Sequence, residues 1–124
     1  MRRRLVAALT LSFAVATGCS APTTEGTFDL VEFAVNGPSE LSADAQSVTV
    51  TNSGEFAHTL VVTDAEGTAL ATTPLIQPGE SVEMPIDLDS GRYNFTCRIV
   101  AQTSDGDLVD HYEEGMSATV TVSG

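Results

Sequence analysis

Short runs in which apolar and polar residues alternate, separated by turn residues, make up most of the chain after residue 26. Val48 and Val50 alternate with Thr49 and Thr51, which predicts a half-buried strand stopping at Asn52, Ser53 and Gly54. His58, Leu60 and Val62 share one parity, so the next strand starts with an imidazole on the same inward side as two aliphatic side chains. Val82, Met84, Ile86 and Leu88 alternate in turn, with Pro85 on the opposite parity, where an edge strand tolerates it. Tyr93, Phe95, Cys97 and Ile99 alternate with Arg92, Asn94, Thr96 and Arg98, which puts Cys97 on the core face of a strand. Ala118, Val120 and Val122 point inward from the final strand, and Met116 shares their parity.

Two stretches break the regular pattern. Within residues 27–35, Phe28 and Leu30 lie on one parity and Val31, Phe33 and Val35 on the other, a slip that one extra residue near Leu30, a β-bulge, would reconcile. Residues 41–46 read as loop. Between Thr103 and Leu108, Asp105 followed by Gly106 is a strong hairpin-turn signal. The sum is about seven short strands and no convincing helix after the N-terminal segment. That predicts an all-β fold, an antiparallel Greek-key β-sandwich.

The N-terminus has a different pattern. Arg2, Arg3 and Arg4 precede an apolar run over residues 5–16 and a small-residue approach to Cys19, which reads as an export signal too short to span a membrane comfortably. Ala16, Thr17 and Gly18 before Cys19 resemble a bacterial lipobox, so Cys19 is expected to be lipidated; a plainly cleaved signal leaving a free thiol is the alternative. Residues 1–19 are thus a lipoprotein signal, 20–26 a polar tether with Pro22, and 27–124 one domain. The expected location is outside the cytoplasm, on the outer face of the cell membrane. After Cys19 only Arg92 and Arg98 stand against seventeen acidic residues, which disfavours nucleic acid and suits a partner with a basic surface.

With Cys19 lipidated, Cys97 is the one thiol left in the domain, and no disulfide within it can form. A lone cysteine in an oxidising compartment calls for another explanation, and a metal supplies one. Within residues 97–116 the sequence places Cys97, His111 and Met116, and the only other histidine, His58, starts an earlier strand. A thiolate, two imidazoles and a thioether are the donors of a blue-copper centre, whereas zinc gains little from a methionine. No nucleophile elbow, phosphate-binding glycine loop or paired-histidine helix is present. The acids Asp105, Asp107 and Asp110 lack the ligand array of a known calcium loop.

Several segments together resemble the cupredoxins, most closely the plastocyanin-like ones: NSGEFAH at 52–58, QPGES at 77–81, GRYNFTC at 91–97 and HYEEGM at 111–116. The resemblance spans nearly all of the chain after Thr27. It implies His58, Cys97 and His111 as equatorial ligands of one copper ion cycling between Cu(I) and Cu(II), Met116 as the axial ligand, and Thr59 just outside them. It further implies a carrier of electrons between redox partner proteins; with all four positions filled by protein, no open site would remain for a substrate, so no enzyme activity is expected. Copper delivery, or a metal-free interaction domain, are the alternatives. One departure stands out: thirteen residues separate Cys97 from His111, where plastocyanin-like proteins have only a few. A chain that reverses near Asp105 and Gly106 would bring His111 back to where it left.

Overall fold

The computed structural model describes residues 24–124, so the expected signal segment and Cys19 lie outside the described residues. All of its regular elements are strands. One sheet runs in the order β2 (Ala34–Asn36), β1 (Thr24–Val31), β4 (Ser47–Asn52), β7 (Ser81–Pro85). The other runs β3 (Glu40–Ser42), β11 (Ser117–Ser123), β8 (Gly91–Thr96), β5 (Val61–Thr63), β6 (Ala69–Thr72). A separate two-stranded ladder joins β9 (Val100–Gln102) to β10 (Leu108–Asp110).

The excess over seven strands comes mainly from three-residue pieces, β2, β3, β9 and β10, too short to leave a period in the sequence. Residues 41–46, read as loop, begin inside β3. Most pairings are antiparallel, but β1 pairs β4 and β11 pairs β3 in parallel. Such pairings leave no turn signature, because the partners are joined by long connections. The first strand also begins at Thr24, inside the stretch expected to be tether.

The slip in residues 27–35 is a hairpin and not a bulge. β1 turns through Glu32 and Phe33 and returns as β2, with Val31 opposite Ala34 and Leu30 opposite Val35. Leu30 and Val35 therefore lie side by side on the buried face despite their opposite parity. Phe33 takes a φ of 62°, the one positive value at a non-glycine among the described residues. Pro85 falls on β7, an edge of its sheet, where its missing N–H leaves no ladder bond unmade.

The alternating residues meet between the two sheets. Phe28, Leu30, Val48, Val50 and Met84 from one face Val62, Phe95, Val120 and Val122 from the other. The rings of Phe28 and Phe95 sit 4.7 Å apart across the interface. Burial of each such side chain contributes roughly 1.5–3 kcal/mol, and the sandwich this creates is the rigid support for the segments that leave β8 and enter β11.

Candidate metal centre

His58 lies on the connection between β4 and β5, anchored by Asn52 at the end of β4. The buried Asn52 side chain donates from Nδ2 to the carbonyls of Phe56 (2.8 Å) and Ile76 (2.9 Å), and its Oδ1 accepts from Gly54 N–H (2.9 Å). His58 then exchanges two backbone bonds with Ile76, N–H to carbonyl at 3.0 Å and the reverse at 2.8 Å. Its ring enters the core fully buried, on the same side as Leu60 and Val62, as their shared parity predicts.

Cys97 follows β8 by one residue and continues its ladder, donating its N–H to the carbonyl of Met116 at 3.0 Å. Met116 N–H in turn donates to the carbonyl of His111 at 3.0 Å, and His111 N–H to that of Ile99 at 2.9 Å. Backbone bonds thus tie Cys97 to Met116 and Met116 to His111. The thirteen intervening residues form the β9–β10 hairpin, reversing through a turn in which Thr103 N–H donates to Asp107 O at 2.8 Å. Its base closes on Ile99, which returns His111 to Cys97. Between His111 and Met116 the chain makes one compact turn: Asp110 Oδ1 accepts from Tyr112 N–H at 2.9 Å, and Gly115 adopts a φ of 96° that a side chain would strain.

The side chains converge. Nδ1 of His58 and Nδ1 of His111 are 3.2 Å apart, and Cys97 Sγ lies 3.9 Å from the first and 3.6 Å from the second. All three residues are buried, His111 at 3% exposure. A point equidistant from the corners of that triangle lies about 2.1 Å from each, within the roughly 2.0–2.3 Å range of metal bonds to imidazole nitrogen and thiolate sulfur. The donors therefore fit a single first-row metal ion, and their softness suits copper. Met116 is fully buried beside them through its backbone bonds.

The structure also brings in a residue that no sequence pattern singles out. Glu32, in the β1–β2 turn, places Oε1 3.4 Å from Nε2 of His58, the ring nitrogen facing away from the triangle. The same oxygen accepts from Glu55 N–H at 2.6 Å and Phe56 N–H at 3.1 Å. Burial alone would raise the Glu32 pKa, but the hydrogen bonds it accepts from Phe56, Glu55 and His58 outweigh it and hold the group below its ordinary 4.5. His58 is held below its ordinary 6.5, chiefly by burial and further by His111, against the upward pull of Glu32. It is therefore a neutral imidazole at neutral pH, the form that can bind a metal. Thr59 was expected outside the ligands, but the group on the far nitrogen of His58 is Glu32. The only sequence trace of Glu32 was the parity slip beside it.

Above His111 lies an apolar groove of about 430 Å³, lined by Phe33, Phe56, Ala101 and Val109 among others. The Phe33 ring meets the His111 ring edge-on, centroids 5.6 Å apart at 87°. The Arg98 guanidinium stacks 4.3 Å from the Tyr112 ring.

No protein-family profile and no curated protein sequence matches the chain. Solved structures do. A purple cupredoxin from Nitrosopumilus maritimus is 18% identical, with 79% of this chain and 99% of that one covered at a TM-score of 0.53. The azurin Az-iso2 from Methylomonas sp. strain J is 16% identical, with 77% and 95% covered at 0.52. A mutant of amicyanin in its reduced Cu(I) form is 15% identical, with 88% and 90% covered at 0.50. At these identities the likeness is one of fold, and the all-β sandwich of this chain is the cupredoxin fold.

Proposed function

We propose that this chain is a copper-binding electron carrier of the blue-copper type. The observation that carries the reading is the buried triangle of two imidazole nitrogens and one sulfur, sized for a metal ion, with a thioether-bearing residue bonded into the same backbone. The fold shared with a purple cupredoxin, an azurin and a Cu(I) amicyanin supports the choice of metal. His58, Cys97 and His111 would hold the ion, with the thioether of Met116 as a weaker fourth donor.

Copper held there would supply a one-electron couple between Cu(II) and Cu(I). The residues do the rest. Cys97 contributes its sulfur as thiolate, and the two histidines contribute neutral nitrogens. The ladder from Cys97 through Met116 and His111 to Ile99 and the His58–Ile76 pair hold the donors on a packed core, so one arrangement serves both oxidation states. Burial of all three donors shields the ion from water and small anions, which favours its retention over hand-over to another protein, and four donors from the protein would leave the ion no open position for a substrate. Electron carriage is therefore favoured over catalysis and over copper delivery.

The groove lined by His111 opens beside one of the donors, which makes it the natural meeting place for a redox partner. Its apolar lining with Asp105, Asp107 and Asp110 on the adjacent hairpin suits a partner bearing an apolar contact within a basic surface. The basic start, apolar run and Cys19 support an exported protein held to the outer face of the membrane by lipid.

The test is to add Cu(II) to the purified chain and record its visible spectrum. An intense thiolate-to-copper band is expected, and it should vanish in Cys97→Ser while the far-ultraviolet circular dichroism stays unchanged. No band in the parent chain, or a band surviving in Cys97→Ser, refutes the assignment. Incorporation of labelled fatty acid, expected in the parent and absent in Cys19→Ser, tests the anchor.

A further inference from the structure

The turn formed by Glu32 and Phe33 touches both histidines, and neither contact is needed to build the sandwich. Glu32 reaches Nε2 of His58 at 3.4 Å, and Phe33 lies edge-on to His111. The reach of Glu32 is tightly set. Two backbone N–H groups from the loop that carries His58, Glu55 at 2.6 Å and Phe56 at 3.1 Å, grip the same oxygen. A side chain at Gly54 would overlap the Glu32 carboxylate and crowd the His58 ring, so glycine there leaves the two room to meet. The turn holds its place although Phe33 takes the left-handed backbone conformation, which disfavours a bulky residue.

A neutral imidazole has one N–H, and a carboxylate beside one nitrogen draws the proton there. With the proton on Nε2, the Nδ1 lone pair of His58 faces Cys97 and His111. We propose that Glu32 is a positioning residue for the metal centre: its carboxylate holds His58 in the Nε2–H tautomer, and its negative charge biases the centre towards the more highly charged, oxidised ion. The first part concerns the chain alone; the second rests on the copper reading above. A carboxylate as the outer partner of a metal-binding histidine both fixes the ring and strengthens it as a donor. The charge acts because a fixed anion a few ångströms beyond the ring interacts more strongly with Cu(II) than with Cu(I).

Two measurements test the two parts separately. In the metal-free chain, nitrogen-15 imidazole spectra should show His58 as the Nε2–H tautomer, and Glu32→Ala should produce a mixture with Nδ1–H. Glu32→Gln, which keeps a carbonyl oxygen as acceptor, should retain the parent tautomer. If His58 stays wholly Nε2–H in Glu32→Ala, the holding role is wrong. In the copper-loaded chain, Glu32→Gln should weaken the preference for oxidised over reduced copper about tenfold, a rise in reduction potential of about 59 mV for a one-electron couple. Glu55→Gln removes one charge from the same loop, and its shift should be less than a third as large. An unchanged or lowered potential in Glu32→Gln, or equal shifts in the two variants, overturns the electrostatic part. If the parent chain gives no copper-thiolate band, the copper reading fails and the electrostatic part with it, while the tautomer measurement still decides the role of Glu32 on its own.

Discussion

Replacing Asn52 with alanine should destabilise the metal-free chain far more than its size suggests. The side chain makes three hydrogen bonds, to the carbonyls of Phe56 and Ile76 and from the N–H of Gly54, all between 2.8 and 2.9 Å and with the donor and acceptor fully buried in Asn52 itself. Each contributes about 1 kcal/mol net, so their joint loss costs about 3 kcal/mol before any cavity is counted. For a domain near 100 residues, that lowers the melting temperature by roughly 12–24 °C. In urea it moves the midpoint down by roughly 1–3 M, for slopes of roughly 1–3 kcal/mol per molar. The loop it secures also carries His58, so Cu(II) affinity should fall along with stability. Urea unfolding followed by circular dichroism, without metal, measures the first effect, and competition with a chelator measures the second. A loss below about 1 kcal/mol would show that the loop is held by something other than these bonds. Asn52→Asp sharpens the test, because it keeps the acceptor for Gly54 but turns a charge towards two carbonyl oxygens; it should be at least as destabilising at neutral pH.

Other outcomes follow from the same geometry. His58 is held below its ordinary 6.5, so between the folded and unfolded values the unfolded chain binds more protons; stability of the metal-free chain should be full above about 6.5 and fall as the pH drops from there. Glu32, held below its ordinary 4.5, adds a second loss that begins below that value. A lower urea midpoint at pH 5 than at pH 7, with a smaller difference in His58→Gln, is the expected result, and equal midpoints in the parent chain contradict it. Replacing residues 103–107 by Asn-Gly should leave the copper-thiolate band in place, because the hairpin base is fixed by His111 N–H to Ile99 O and the pairing of Leu108 with Gln102; loss of the band would assign the tip a part in holding His111. Gly115→Ala should cost about 1–2 kcal/mol in urea unfolding, since Gly115 sits at a φ of 96°, and a loss below about 0.5 kcal/mol would mean the turn readjusts at no strain.

Where the sequence was informative, one physical cause lay behind it: period-two burial. That placed Cys97, His58 and Met116 inward, and all three are fully buried. Asp105 and Gly106 marked the reversal that brings His111 home, because a tight turn needs particular residues. Glu32 could not be found this way. A two-residue hairpin turn between β1 and β2 looks, to a parity argument, the same as an inserted bulge residue, and what distinguishes them is the positive φ of Phe33. The parallel partners β1 with β4 and β3 with β11 were also invisible, since pairing between remote segments leaves no local pattern. The outer carboxylate on His58 is a product of that hairpin, so the same ambiguity hid both.

The place of β11 has a consequence for how the molecule comes into being. It pairs β8 on one side and β3, about eighty residues earlier, on the other, and so joins β3 to the rest of its sheet. The carbonyl that holds Cys97 in line belongs to Met116, the residue just before β11 begins. A nascent chain therefore cannot assemble the donors until β11 is free, and contacts this distant in sequence typically put folding on a scale of milliseconds to seconds. A chain stopped before Ser117 should accordingly show no protected backbone amides in hydrogen exchange; protection in it would mean the sandwich nucleates without β11. If the chain is exported before it folds, the ions that first meet its cysteine and histidines are those outside the cell's interior, and the time of folding becomes the time of metal choice.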